Sequence, residues 1–198
     1  MVQTVGVLAL QGAFAKHIAM FRQLGLHAKE VRQVSDLDGV HGLCIPGGES
    51  TAMSKMMVRW DLLSPLKERL CSGMPVLGTC AGLILLSNHV RDWEELPRLG
   101  GLDVTVQRNA YGRQIDSFGA PVELDLAQDK STSPYSGVFI RAPRIEEHEV
   151  GADVEILGTR AGEAVLVRQG NILAATFHPE LTDDDRIHRW FINTMMNS

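Results

Sequence analysis

The residues best able to do chemistry lie in two short segments far apart in the chain. The thiol of Cys80 sits in Gly78-Thr79-Cys80-Ala81-Gly82, directly after the apolar run Met74-Pro75-Val76-Leu77. A second apolar run, from Ile172 to Phe177, delivers His178-Pro179-Glu180. A thiol, an imidazole and a carboxylate are the set needed to attack an amide carbonyl through a covalent thioester. The chain therefore reads as a cysteine-dependent acyl-transfer enzyme.

Gly-x-Cys-x-Gly between a strand and a helix has the form of a nucleophile elbow, in which a tight turn with small neighbours lifts the side chain above the sheet. The helix N-terminus behind it and a nearby imidazolium would both favour the thiolate over a free thiol, whose pKa is about 8.5. Residues i and i+2 of an extended chain point to one side. His178 and Glu180 can thus share a face, the carboxylate holding the imidazole tautomer and stabilising the cation formed after proton transfer. Taken alone, each fragment also has an ordinary reading: Cys80 as a small core residue, His178 and Glu180 as unrelated surface groups. Their combination favours catalysis. Cys44 and Cys71 lack such turn chemistry and are assigned to structure. Histidines 17, 27, 41, 89, 148 and 188 are read as structural or solvent-facing, without a comparable partner.

A third segment, Pro46-Gly47-Gly48-Glu49-Ser50-Thr51, follows an apolar run and leads into a helix. Gly47 and Gly48 let backbone N–H groups approach a ligand closely. With the Ala81 N–H they would bind the oxyanion of a tetrahedral intermediate. A phosphate loop is the rival, but its Gly-Lys-Ser/Thr ending is absent. A turn followed by a helix cap is part of either reading.

These segments need a scaffold, and the first half of the chain supplies one. Short apolar runs at Val5–Leu10, Leu26–Val31, Val40–Ile45 and Pro75–Thr79 predict strands buried on both faces. Helices are expected between them: Phe14, Ile18, Phe21 and Leu24 make a stripe that stops at Gly25, and further helices are predicted at Thr51–Trp60, Leu62–Leu70 and Ala81–Asn88. Repeated β-α units imply a parallel sheet. The middle alternates instead, near Asp103–Gln107, Pro121–Leu126 and Val154–Leu157, which suggests antiparallel strands. Gly162–Arg168 and Asn171–Thr176 read as a strand pair turning at Gln169-Gly170. Thr182 is the expected N-cap of a last helix, with Asp183, Asp184 and Asp185 in its first turn and Ile187, Phe191 and Met195 on its buried face. The fold class is α/β, a central mostly parallel sheet flanked by helices with additional antiparallel strands, in one domain over residues 1–198.

Composition bounds the function. The 198 residues are 44% hydrophobic and 22% charged with a formal net charge of −5, which leaves no electrostatic footprint for nucleic acid or an anionic membrane. Met1–Leu10 lacks the basic region of a signal segment and reads as a first buried strand. No apolar stretch approaches the roughly 20 residues that span a bilayer. Three scattered cysteines make neither a disulfide framework nor a zinc site. A reduced, cytoplasmic protein is expected.

Six segments carry a resemblance along essentially the whole chain. In order they are Leu8-Ala9-Leu10-Gln11-Gly12, Pro46–Thr51, Gly78–Gly82, Arg108-Asn109-Ala110-Tyr111-Gly112-Arg113-Gln114, Phe139-Ile140-Arg141-Ala142-Pro143 and Phe177–Thr182. Together they resemble the glutaminase subunits of pyridoxal 5′-phosphate synthases, within the class I (triad) glutamine amidotransferases. The elbow and His-x-Glu mark the superfamily; the Arg108 and Phe139 segments narrow it.

The resemblance implies Cys80 as nucleophile, with His178 and Glu180 completing the triad. It implies Gly47, Gly48 and Glu49 at the glutamine and oxyanion site, and Arg108, Ile140 and Arg141 completing the glutamine pocket. It further implies no metal or organic cofactor, and a separate (β/α)₈ synthase subunit that receives the ammonia and on whose docking full activity depends, through rearrangement at Gly47-Gly48. A stand-alone γ-glutamyl hydrolase, the glutaminase of another amidotransferase, and a non-catalytic subunit on the same scaffold are the alternatives. Gln11 is expected at the oxyanion region or in a capping role. Lys16 departs from the acid expected there and concerns a surface contact.

Overall fold

The computed structural model describes residues 3–91, 96–108, 110, 117–126, 131 and 133–197. Asn109 and Tyr111–Gln114, part of the segment that narrows the resemblance, lie outside the described residues.

Strands β1 (Thr4–Leu8), β2 (His27–Val31), β3 (Gly42–Ile45) and β4 (Val76–Thr79) form with β12 (Ile172–Ala175) the parallel centre of a sheet, in the order β2-β1-β3-β4-β12. The sheet continues through antiparallel neighbours β11 (Glu163–Gln169), β10 (Glu155–Arg160), β7 (Ser117–Leu124) and β8 (Tyr135–Ile140). A smaller sheet joins β5 (Ser87–Val90), β6 (Leu102–Gln107) and β9 (Arg144–Val150).

The parallel strands are buried on both faces, and consecutive residues alternate between two cores as the period of two requires. Val76, Ile172, Ala174, Leu43 and Ile45 join Met53, Met57, Leu66 and Leu83 on one face. There lie α2 (Ser50–Arg59), α3 (Leu63–Cys71) and α4 (Ala81–Leu86). Leu77, Leu173, Ala175 and Cys44 join Ile18, Phe21, Ile187 and Phe191 on the other. That face is covered by α1 (Phe14–Gln23) and by α5 (Arg186–Trp190), which runs on into a π-helical segment, Phe191–Met196.

Two expected elements differ. The helix predicted over Ala81–Asn88 ends at Leu86, because the Ser87 hydroxyl donates to the Leu83 carbonyl at 2.7 Å and Ser87 turns extended (φ −67°, ψ 141°). The chain then becomes β5, parallel to β6. Thr182 does not cap the last helix. It is extended after a 3₁₀ turn at Pro179–Leu181, and its hydroxyl is engaged by Tyr135 at 3.0 Å and by the Asp184 N–H at 3.3 Å. Asp184 and Asp185 pair instead with Arg186 and Arg189, at 2.7 and 2.5 Å, and the helix starts beyond them.

Candidate active site

The C-terminal ends of β1, β3, β4 and β12 converge at one edge of the sheet, the crevice where open α/β sheets bind their ligands. Cys80 stands at the β4–α4 junction with φ 48° and ψ −101°, a conformation outside the usual regions for a residue with a side chain. Its N–H donates to the Ala175 carbonyl at 2.8 Å, tying the elbow to the neighbouring strand. The small residues are required by contact. A Cβ on Gly82 would lie 2.0 Å from the Ile45 carbonyl oxygen, and one on Gly78 would lie 2.5 Å from Leu86 Cδ1. Cys80 is 6% exposed, and its thiol donates to the Ile140 carbonyl at 3.8 Å.

His178 follows β12, and its N–H donates to the Val138 carbonyl at 2.8 Å. Its Nδ1 lies 2.7 Å from Glu180 Oε1. Burial works against a charge on this ring, yet hydrogen bonds to Cys80 and to Glu180 raise its pKa to about 10. Glu180 is 4% exposed in the 3₁₀ turn. Burial alone would raise its pKa; the charge and contact of His17, followed by those of His178, hold it far below the ordinary carboxylate range.

The Gly47-Gly48-Glu49 turn closes the opposite wall. The Gly47 carbonyl accepts from the Ala13 N–H at 3.1 Å, and the Glu49 N–H donates to Gln11 Oε1 at 2.5 Å. The Glu49 carboxylate caps α2, accepting from the N–H groups of Thr51 and Ala52 at 3.0 and 2.8 Å, and lies 3.5 Å from Arg108. Burial opposes its ionisation, but these hydrogen bonds and the Arg108 charge lower its pKa. Between the walls is a cleft of about 150 Å³ lined by Gly48, Glu49, Ser50, Cys80, Ile84, Arg108, Ile140, Arg141 and His178. Arg141 projects there from a strained backbone, φ 41°.

The residues singled out in the sequence meet at this edge. Cys80, His178, Gly48, Glu49, Arg108, Ile140 and Arg141 line the cleft, and Glu180 stands behind His178. Gly47 packs under the His178 ring, and Ala81 opens α4 with an N–H that has no acceptor within the helix. Gln11 holds the Glu49 turn. Lys16 is exposed, in keeping with a surface role.

Sequence reasoning missed His17 and His188. Neither is solvent-facing and neither lacks a partner: His17 Nε2 lies 3.2 Å from Glu180 Oε2, and its Nδ1 lies 2.9 Å from His188 Nε2. The signal was available. His17 falls three residues after Phe14 and four before Phe21, inside the apolar stripe of α1, where a polar side chain needs a buried partner.

A cysteine elbow beside a His-x-Glu turn, on this mixed sheet, has the form of the triad-type glutamine amidotransferases. The resemblance to known proteins is as extensive. Residues 7–197 match the SNO glutamine amidotransferase family, and the chain belongs to that family. It is 50% identical to the pyridoxal 5′-phosphate synthase subunit PdxT of Mycolicibacterium vanbaalenii, over 96% of this chain and 97% of that one. The PdxT subunit of Thermotoga maritima is 47% identical, over 95% of this chain and 97% of that one. Among solved structures, one described as a glutamine amidotransferase superposes with a TM-score of 0.89 at 42% identity, covering 98% of this chain and 99% of that one. A putative GMP synthase component from Thermoplasma acidophilum, at 20% identity and a TM-score of 0.69 over 98% of this chain and 94% of that one, shares the fold.

Proposed function

We propose that this chain hydrolyses L-glutamine to L-glutamate and ammonia, and hands the ammonia to the synthase subunit of a pyridoxal 5′-phosphate synthase. Its relatives bear that complex's name over nearly their whole length. The observation that carries the chemistry is the buried His178–Glu180 pair at 2.7 Å, beside a cysteine held at φ 48° on a strand-to-helix elbow.

In this reading the Cys80 thiolate attacks the side-chain amide carbon of glutamine, and the carbonyl π electrons move onto oxygen. Backbone N–H groups of the Gly47-Gly48 turn and of Ala81 stabilise that oxyanion; removing one such donor typically costs about 10²–10³ in rate. His178 gives its proton to the departing nitrogen, so ammonia leaves and a glutamyl thioester remains. Water, deprotonated by His178, then attacks the thioester, and glutamate leaves as the thiol is regenerated. Glu180 holds the imidazole through both steps. Glu49, Arg108, Ile140 and Arg141 bind the amino-acid end of glutamine, the guanidinium groups suiting its carboxylate. No step calls on a metal or an organic cofactor.

Residues 1–198 act as one glutaminase unit in the cytoplasm, where the three thiols stay free. The partner is a (β/α)₈ synthase subunit, and its docking completes the oxyanion site by turning the Gly47-Gly48 peptide, whose carbonyl is held here by Ala13. Glutamate release from glutamine, measured with and without that subunit, tests the proposal. Strong stimulation is expected. Equal and substantial turnover without it would keep the triad and replace the assignment by a stand-alone γ-glutamyl hydrolase.

A further inference from the structure

His17 is fully buried and takes no part in the mechanism above. Its ring is enclosed by groups from three other elements. Thr79 Oγ1 of β4 lies 3.2 Å from its Nε2, Glu180 Oε2 of the 3₁₀ turn also lies 3.2 Å from Nε2, and His188 Nε2 of α5 lies 2.9 Å from its Nδ1. Phe21, on its own helix, packs edge-on against the His188 ring at 5.1 Å. Behind Glu180 stands Cys44 of β3, whose pKa is raised by burial and by the Glu180 charge.

Glu180 uses only one oxygen on His178. The other, Oε2, is buried and makes no hydrogen bond among the described residues; His17 Nε2, which also meets the Thr79 hydroxyl, lies 3.2 Å from it. A buried carboxylate oxygen without a compensating group is strongly unfavourable, as an unpaired buried charge is. An unprotonated Nε2 would add lone-pair repulsion to that. Nε2 must therefore carry hydrogen and present its positive end to Glu180. His188 helps to fix this arrangement. Burial, reinforced by the charge of His17, lowers the pKa of His188 to about 3, so it stays neutral and shares a single proton with His17 Nδ1.

We propose that His17 is a positioning residue for the triad: through Nε2–H it holds the Glu180 oxygen that His178 leaves free, with His188 bracing the far side of its ring. The chain of contacts runs His188, His17, Glu180, His178, Cys80. The inference rests on the glutaminase reading, and the experiment separates the two.

The test compares His17→Asn, His17→Phe and His17→Gln with the wild type, each assayed for glutamate release with the synthase subunit present. Gln places an amide N–H where Nε2–H stands; Asn keeps only the position of Nδ1, and Phe keeps only the ring's bulk. His17→Asn and His17→Phe are expected to lose about 10- to 100-fold in kcat, as for a small misplacement of a catalytic group, with KM for glutamine nearly unchanged. The alkaline limb of their kcat/KM profile shifts, because the carboxylate that supports the His178 proton is no longer held by His17. His17→Gln stays within a few-fold of wild type. A packing role alone would leave the pH profile in place and make Phe the best-tolerated substitution. That result, with an active wild type, overturns the inference only. An inactive wild type overturns the glutaminase reading and the inference together. Because buried variants can fail to fold, ¹⁵N-histidine NMR of the wild type gives an independent readout. A slowly exchanging proton on His17 Nε2 is expected, and an unprotonated Nε2 overturns the inference.

Discussion

Gly47 lies against the imidazole of His178: a Cβ at Gly47 would stand 2.3 Å from Cε1 and 2.9 Å from Nδ1. The glycine proposed to shape the oxyanion wall thus also sets how closely that wall approaches His178. Gly47→Ala should displace the ring from both Glu180 and Cys80, lowering kcat/KM by about 10²-fold while the thermal midpoint moves little. Steady-state glutamate release beside a circular-dichroism melt checks both halves. An active Gly47→Ala enzyme would show that the turn can retreat without disturbing the base.

Cys80 carries its side chain in a backbone conformation that costs of order 1–3 kcal/mol for a residue with a Cβ. Replacing it should separate stability from activity. Cys80→Ala and Cys80→Gly should both abolish glutamate release. Cys80→Gly should unfold at higher denaturant than Cys80→Ala, by about 1 kcal/mol, because glycine relieves the strain. Equal midpoints would mean that the elbow stores no strain.

The depressed pKa of Glu180 makes a pH prediction with a definite sign. Its unfolded value is near 4.5 and its folded value far lower. The stabilisation it contributes is therefore complete above about pH 4.5 and declines as pH falls below it, toward the folded value. His178, raised to about 10, stays protonated through this window and adds no slope of its own, whereas His188, lowered to about 3, adds an acid slope that Glu180→Gln leaves in place. Glu180→Gln should flatten the acid limb of a stability-versus-pH curve, measured by urea unfolding between about pH 3 and 6. An acid limb of unchanged steepness would place its origin elsewhere.

The three thiols should react very differently in the folded protein. Cys71 is exposed, Cys80 lines the cleft, and Cys44 is buried beside Glu180 with a raised pKa. Native alkylation with iodoacetamide followed by peptide mass spectrometry should modify Cys71 and Cys80 and leave Cys44 intact, while a glutamine-like electrophile should label Cys80 alone. Early modification of Cys44 would mean that the sheet opens there.

Much of this was legible from residue order. The parallel strands announced themselves because burial on both faces demands unbroken apolar runs, and the turn residues around Cys80 and Gly47 have few other uses. What escaped did so for physical reasons. Ser87-Asn88-His89-Val90 has a polar composition that conceals a strand; only its pairing with β6 makes it one. β9, polar and rich in acids, is likewise made a strand by its pairing with β6, whereas the alternation of Tyr135, Gly137 and Phe139 in β8 was there to be read. Thr182 carries a sound capping signature that Tyr135, 47 residues earlier, claims for itself. His17 is the sharpest case. Its meaning lies in contacts 62 and 171 residues away in sequence, and spacing along the chain cannot display them.

The register between β4 and β12 pairs Thr79 with Ala175, immediately ahead of Cys80 and shortly before His178. The proposed nucleophile and base are thereby carried just beyond the ends of adjacent strands, and β12 is the last strand among the described residues. During synthesis the thiol emerges long before its imidazole and, until the two meet, is an ordinary cysteine without a base. The arrangement that joins thiol and imidazole is complete once β12 is paired with β4 and β11. In the proposed mechanism catalytic competence thus reports that the sheet has closed, since a chain with β12 missing or out of register would lack its base.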